Sequence, residues 1–399
     1  MVKAHRDCFN VSVAEKVRWF KSATWDGELG WRSKLALKEL MEASLQEEIG
    51  RQLGGVERYQ RAEQRTDQRN GYYRRSLDTP CGPIPDLRVP RSRRGTYQPQ
   101  AFDRYQRRMP VIDEMILDIF LAGVSTRRLG AILEQLTDTA VSAATVSRVS
   151  KVLDGAVQAY HQRPLQDKYL YLILDGISLR SKGANGAKKV LVLTAFGITA
   201  EGRRELIDFR QSRGESEAEW TRFLENLRQR GLLGLRLRLV TSDGAPGLIA
   251  ALDMVYPYLP RQRCWVHKLR NVSNKLRKAH RQACLREAQG IYLAATRRQA
   301  QHRFQAWKAH WEDLEPQAVA CLAADIDDLL VFLELPEAHR AKVRTTNAIE
   351  RSFREVRRRT NPMSCFNNPS SIDRVLFAVF AHLNLNWEKR PIPALTQDT

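Results

Sequence analysis

No stretch of this chain approaches the roughly 20 consecutive apolar residues that a membrane-spanning helix needs, so no membrane partner is expected. The opening residues MVKAHRDCFN lack the apolar core of a secretion signal. Cysteine is sparse: Cys8, Cys81, Cys264, Cys284, Cys321 and Cys365 include no C-x-x-C pair. That spacing excludes an ordinary zinc ribbon or finger and gives no disulfide framework, so a reducing compartment fits. Internal repeats and low-complexity tracts are absent as well. Acidic residues are in deficit, 45 Asp and Glu against 65 Lys and Arg in 399 residues, for a formal charge of +20. A surplus of that size favours a polyanionic partner, of which nucleic acid is the commonest.

Hydrophobic residues make up 43% of the chain, enough for ordinary cores. Residues 33–53 read as a helix with Leu35, Leu37, Leu40, Met41 and Leu45 as apolar positions. Residues 57–108 change character, with 13 arginines, no lysine and 6 acids, and with Tyr59, Tyr72, Tyr73, Tyr97 and Tyr105 interleaved. RNGYYRR (69–75) and VPRSRRG (89–95) read as turn-like. Arginine forks suit phosphate oxygens, which makes Arg69, Arg74, Arg75, Arg91, Arg93 and Arg94 candidate DNA contacts; the competing reading is a solvated linker.

Residues 110–154 carry a helix-turn-helix pattern. STRRLGAILEQL (125–136) has one apolar face, Leu129, Ile132, Leu133 and Leu136, with Ser125 as an N-cap. A second helix, AATVSRVSKVLD, is capped by Ser142 and turns Val146, Val149 and Leu153 inward. Thr145, Ser147, Arg148 and Lys151 face outward, as suits a major groove. Any helical hairpin gives this pattern, and the charge surplus favours the DNA-binding version.

From residue 168 the period changes. YLYLILDGISL (169–179) is a nearly continuous apolar run, as in a strand buried on both faces. KKVLVLTAFGIT (188–199), RELIDFR (204–210) and LRLRLVTSDG (235–244) read as further strands, and EAEWTRFLENLRQRGL (217–232) as a helix. Together they argue for a mixed α/β sheet. After RQRCWVHKLRNV (261–272) about seventy residues are helical. NAIERSFREVRRR (347–359) and a closing helix over 371–387 follow, the latter with Val375, Leu376, Val379 and Phe380.

Asp175 and Asp243 each end an apolar strand and each precede glycine. Functional groups of open α/β sheets gather beyond the carboxyl ends of strands, and two close carboxylates repel unless a hard cation lies between them. The competing role for each is an Asp-Gly turn. Glu350 lies in the first turn of its helix on a face shared with Arg354 and Arg357, away from the stripe Ile349, Phe353 and Val356. Locally it reads first as a cap, because Asn347 and Glu350 have capping-box spacing and Glu350 with Arg354 has ion-pair spacing. Two aspartates on strands and a glutamate on a later helix together specify a two-metal phosphoryl-transfer site with no covalent protein nucleophile.

These segments resemble the bacterial Mutator-type transposases of insertion sequences. The resemblance runs over about residues 30–385 and rests on LILDGISL, LVTSDGAPGL, TTNAIERSFREVRRRTNPMSCFNN, CWVH (264–267), RNGYYRR and DLRVPRSRRG. It implies a ribonuclease-H-like α/β fold with an all-helical insertion, preceded by a mainly helical N-terminal region with a helix-turn-helix. It also implies a DDE triad of Asp175, Asp243 and Glu350 holding two Mg²⁺ ions, with Mn²⁺ as substitute. Asn347, Arg351, Arg354, Cys264 and His267 are candidate support. The last two alone would be half a zinc site; His267 is expected to contact phosphate or orient water, with Cys264 and Trp265 packing, or all three to be purely structural. The implied division is 1–108 arginine-rich DNA-binding region, 109–160 helix-turn-helix, 161–268 first part of the catalytic core, 269–345 insertion, and 346–399 second part of the core.

The expected activity is binding of terminal inverted repeats in double-stranded DNA, strand cleavage, and joining of the 3′-hydroxyls to target DNA. A homodimer or larger synaptic complex is expected in the bacterial cytoplasm at the nucleoid. The rival readings are a structure-selective nuclease or resolvase of the same fold, and a non-enzymatic DNA-binding regulator.

Overall fold

The computed structural model describes residues 24–54, 66–122, 124, 126–183, 186–361, 366 and 368–393. Ser125, the expected cap, lies outside them, as do Cys8, Tyr59 and Cys365. Two compact units divide between Val152 and Leu153.

In the first unit, helix α1 (Thr24–Gln52) precedes an antiparallel hairpin of β1 (Arg69–Thr79) and β2 (Gly82–Ser92). The buried stripe of α1 keeps only part of the one read from its apolar positions, namely Leu37, Met41 and Leu45. Leu45 and Ile49 are buried, whereas Leu35 and Leu40 are exposed. Its partner explains the shift: Leu45 packs with Leu77, Ile84, Leu87, Val89 and Phe102 of the hairpin and its flank, with Leu37 and Met41 beside them. RNGYYRR and VPRSRRG are therefore mostly strand rather than turn. Prolines 83, 85 and 90 argue against a central strand, but a two-stranded ribbon has free edges where a missing N–H costs nothing.

Three short helices follow: α2 (Pro110–Leu121), α3 (Thr126–Thr137) and α4 (Ala143–Val149). Ser142 caps α4 by accepting a hydrogen bond from the Thr145 amide at 3.1 Å. Leu129, Leu133, Val146 and Val149 are buried as the apolar pattern requires, while Leu136 is exposed. The expected single helix over 143–154 is interrupted, because residues Ser150–Val152 form a 3₁₀ turn.

The second unit begins with α5 (Leu153–Gln162) and is built on a five-stranded sheet. Its strands are β3 (Tyr169–Gly183), β4 (Gly186–Thr199), β5 (Arg204–Ser212), β6 (Leu239–Ser242) and β7 (Arg261–Arg263), in the order β5-β4-β3-β6-β7. The first three pair antiparallel; β6 runs parallel to β3 and β7 parallel to β6. It is the mixed α/β architecture read from the sequence. Helices α6 (Glu217–Gln229) and α7 (Pro246–Val255) cover one face, where Leu172, Leu174, Leu193 and Ile207 meet Trp220, Phe223, Leu224, Leu248 and Leu252.

Between β7 and the last helices lie α8 (Trp265–Ser273), α9 (Arg281–Tyr292), α10 (Arg297–Trp311), α11 (Pro316–Ala323), α12 (Ile326–Leu329) and α13 (Glu337–Val343). Helix α14 (Asn347–Thr360) and helix α15 (Pro369–Glu388) then return to the sheet. Asn368 and Ser371 close a reciprocal capping box on α15. Phe380 packs edge-to-face on Phe209 of β5, with ring centres 5.3 Å apart. Among the described residues no helix is long and apolar enough to cross a membrane.

Candidate active site

Beyond the register irregularity between Tyr169 and Tyr171, alternation along β3 sends Leu172 and Leu174 into the α6–α7 core and Tyr171, Ile173 and Asp175 to the opposite face. Tyr171 shows where that face leads, its hydroxyl lying 2.6 Å from His339 Nδ1 on α13. Asp175 is two steps beyond Ile173 and is buried. The last parallel pair between β3 and β6 is Ile173 with Thr241. Two residues on from each stand Asp175 and Asp243, so the register sets the two carboxylates at one sheet edge.

Asp175 is not at a strand end as the sequence reads. Strand β3 continues to Gly183, paired only with β4 and bridged through Ser181 to Phe366. Asp175 instead marks the point where the parallel partner has stopped. Asp243 follows β6 directly. Its Oδ1 accepts a hydrogen bond from the Ala245 amide at 2.9 Å, in a turn where Gly244 has φ +82°. The turn role expected of Asp-Gly is therefore present and leaves the other oxygen of Asp243 clear of it.

Glu350 arrives from far along the chain, and a cysteine locates it. Cys264 is fully buried at the end of β7, with its amide bonded to the Ser242 carbonyl at 2.7 Å. Its Sγ accepts from the Thr346 amide at 3.3 Å and lies 3.4 Å from Thr346 Oγ1, which is also 3.3 Å from His267 Nδ1. These contacts fasten the start of α14 to the start of α8. Glu350, one turn into α14, thereby meets His267, with Oε1 3.5 Å from Nε2. One ligand atom each from Asp175, His267 and Glu350 lies within 4.8 Å of the others.

The capping box expected from Asn347 does not form. Thr346 is the N-cap and makes no side-chain cap bond, because its hydroxyl is turned to Cys264 and His267. The ion partner of Glu350 is His267 rather than the expected Arg354. Arg351, Arg354 and Asn347 line a cavity of about 550 Å³ with Arg204, Lys342 and Trp387.

The electrostatics follow from this crowding. Burial, with Asp243 and Glu350 adding to it, pushes the Asp175 carboxyl up to about 7. The Cys264 hydrogen bond and the surrounding negative charge raise His267 to about 9, although burial opposes this. Cys264 itself is drawn below the ordinary thiol value by hydrogen bonds from His267 and Thr346 that outweigh its burial. A further carboxyl, Glu215, is raised by burial and by the charge of Asp243. Sequence reasoning missed Glu215, whose only signal was a glutamate in the loop after a strand.

The candidate DNA contacts divide. Arg74, Arg91, Arg93 and Arg94 are exposed. Arg75 is committed to the carbonyls of Asp103 and Arg104 and lies over the Phe102 ring. Arg69 is half-buried. Ser147, Arg148 and Lys151 are exposed, Thr145 is half-buried, and Arg148 borders a cavity of about 340 Å³ with Tyr105, Arg107 and Arg108.

A mixed sheet with one buried and one half-buried carboxylate where the parallel pairing of β3 with β6 stops defines an α/β protein with a polar site suited to a hard cation. Residues 18–390 match the Mutator family of transposases, and the chain belongs to that family. It is 34% identical over 354 residues to the transposase for insertion sequence element ISRM5 of Rhizobium meliloti, covering 89% of this chain and 87% of that one. The transposase for element IS256 in transposon Tn4001 of Staphylococcus aureus is 34% identical, over 82% of this chain and 84% of its own. That for IS1081 of Mycobacterium tuberculosis is 33% identical, over 82% and 79%. The family is thus the one that the sequence motifs resemble, and its members are enzymes that cut and transfer DNA.

Proposed function

We propose that this chain is a DDE transposase in which Asp175, Asp243 and Glu350 hold two divalent metal ions, Mg²⁺ with Mn²⁺ as substitute. The observation that carries the proposal is the gathering of Asp175, His267 and Glu350 within 4.8 Å, although Glu350 lies 175 positions from Asp175. The donor set fits such ions. The three proposed ligands offer hard carboxylate oxygens, with the His267 imidazole beside two of them, and Glu350 Oε1 is buried with no hydrogen-bond partner among the described residues. When bound there, divalent metal supplies the charge that activates an attacking oxygen and stabilises a leaving one.

The chain's own residues do the rest. The β3–β6 register aligns Asp175 with Asp243, and the Cys264–Thr346 clamp presents Glu350. His267, held protonated at neutral pH, sits beside Glu350 where it offers an N–H to a DNA phosphate. Strand order β5-β4-β3-β6-β7 supports a ribonuclease-H-like reading of the sheet, with the mainly helical stretch 269–345 as the insertion. Helices α3 and α4 are read as a helix-turn-helix for the terminal inverted repeats, with the exposed Ser147, Arg148 and Lys151 toward the groove. Two element ends must be joined, so the acting species is a homodimer or larger, on DNA in the cytoplasm.

The reaction is cleavage that exposes a 3′-hydroxyl, then its direct attack on a target phosphodiester. Incubating the protein with inverted-repeat DNA and Mn²⁺ is expected to give nicked and then joined products. Asp175→Ala and Asp243→Ala are expected to lose at least about 10³-fold in rate, about 4 kcal/mol of barrier, and undiminished cleavage by either overturns the proposal. Nicking without joining would leave a nuclease in place of a transposase.

A further inference from the structure

Glu215 stands in the loop between β5 and α6, outside the trio. Both ends of that loop are tied down. Ser212 Oγ donates to the Gly214 carbonyl at 2.6 Å, and Ser216 caps α6. The Glu215 carboxylate itself has no hydrogen-bond or ion-pair partner among the described residues.

Two glycines let the loop come as close as it does. A Cβ on Gly176, the residue after Asp175, would lie 3.3 Å from Glu215 Oε1. A Cβ on Gly247, four residues after Asp243, would lie 2.3 Å from the Glu215 carbonyl oxygen and 2.8 Å from the Glu217 amide nitrogen. Real Cβ atoms do not approach that closely, so the main chain of the loop can pack here only against glycine. The loop's main chain thus occupies the space at Gly247, while at Gly176 the Glu215 carboxylate shares the space with the Leu191 side chain, 3.2 Å from the same position. That loop brings an unpartnered carboxylate toward a site already crowded with carboxylates. Like charges so placed repel, and a cation bound among them relieves that repulsion.

We propose that Glu215 is a fourth carboxylate of the metal site, serving the ion on the Asp243 side while Glu350 serves the side of His267. The inference rests on the two-metal reading above. It predicts that removing the Glu215 charge weakens metal binding without disturbing the fold, since the residue is on an exposed loop and Gln is isosteric with Glu.

The test is Mn²⁺ titration of the full-length protein without DNA, by calorimetry and by electron paramagnetic resonance. Wild type, Glu215→Gln and Asp175→Asn are compared, with melting in metal-free buffer as the control for folding. The expected result is that Glu215→Gln weakens one of the two ions at least about tenfold, the loss typical of removing a group that supports a metal site. Asp175→Asn is expected to weaken both. Mn²⁺ binding by Glu215→Gln equal to wild type, with Asp175→Asn deficient, overturns the role of Glu215 and leaves the two-metal reading standing. Unaltered binding in both variants overturns that reading and the inference with it.

Discussion

Asp175 is the residue on which burial and function conflict most. A carboxylate this enclosed prefers to hold its proton, and the neighbouring Asp243 and Glu350 strengthen that preference. Its pKa is about 7 in the folded chain, against about 3.9 for an exposed aspartate. Between those values the folded state binds a proton that the unfolded state has released, so this group makes stability fall as pH rises from about 4 to 7. Asp175→Asn removes that dependence. In metal-free buffer the variant is expected to melt higher than wild type at pH 8, by up to a few kcal/mol, since each tenfold change in proton affinity is worth about 1.4 kcal/mol. At pH 4 it is expected to gain little. Thermal melts at the two pH values check this; an equal offset at both would mean the effect is packing and not charge. The sequence singled out Asp175 and Asp243 by a local pattern, an apolar run followed by Asp-Gly, although β3 runs on past Asp175. Glu350 was legible only through the family motifs, since its own surroundings read as a helix cap. Its real neighbours, His267 and Asp175, are 83 and 175 positions away, and no local periodicity encodes a contact at that distance.

Elements were legible where one face is buried against the same unit and obscure where a special backbone carries the fold. The strands β3 to β5 and the closing helix α15 follow their apolar patterns. The β1–β2 hairpin does not, because a two-stranded ribbon tolerates prolines and exposes arginine and tyrosine on its outer face. Helices α3 and α4 meet through a glycine that the sequence did not single out. A Cβ on Gly130 would lie 2.4 Å from the Val141 carbonyl oxygen, so Ala there forces backbone apart. Gly155 in α5 has nothing among the described residues within 4 Å of the same position. The two substitutions are therefore expected to act in opposite directions. Gly130→Ala destabilises by about 1–3 kcal/mol, the usual range for overpacking. Gly155→Ala stabilises by about 0.5–1 kcal/mol, through helix entropy alone. Denaturant unfolding of both variants measures the contrast. A Gly130→Ala protein as stable as wild type would show that α3 does not lie this close to the segment before α4. Such a protein would also weaken the reading of the pair as a fixed helix-turn-helix.

Over the whole molecule the excess of 20 positive charges is the one property that composition alone made plain. Its distribution is what the sequence could not give. Some arginines are spent internally: Arg75 on main-chain carbonyls, Arg374 on a bidentate pair with Asp154, and Arg230 on Asp208. Others stay exposed, among them Arg74, Arg91, Arg93 and Arg94 in the first unit, and Lys342, Arg351 and Arg354 around the cavity of the second. A phosphate contact contributes to affinity by releasing counterions, so each one steepens the salt dependence of binding by about 0.9 in log–log slope. Neutralising Arg91 and Arg93 together is expected to weaken binding to any DNA sequence alike and to flatten that slope by about 1 to 2. Arg75→Ala, by contrast, removes a side chain already paired within the protein, and should lower stability while leaving the slope unchanged. Arg148→Ala should lower the preference for inverted-repeat DNA over unrelated DNA, if α4 reads base edges. Fluorescence anisotropy with both DNAs, from low to physiological salt, separates the three outcomes. An unchanged slope in the Arg91/Arg93 variant would mean that the hairpin does not face the phosphates, and that the DNA path must be sought along the second unit's basic cavity instead.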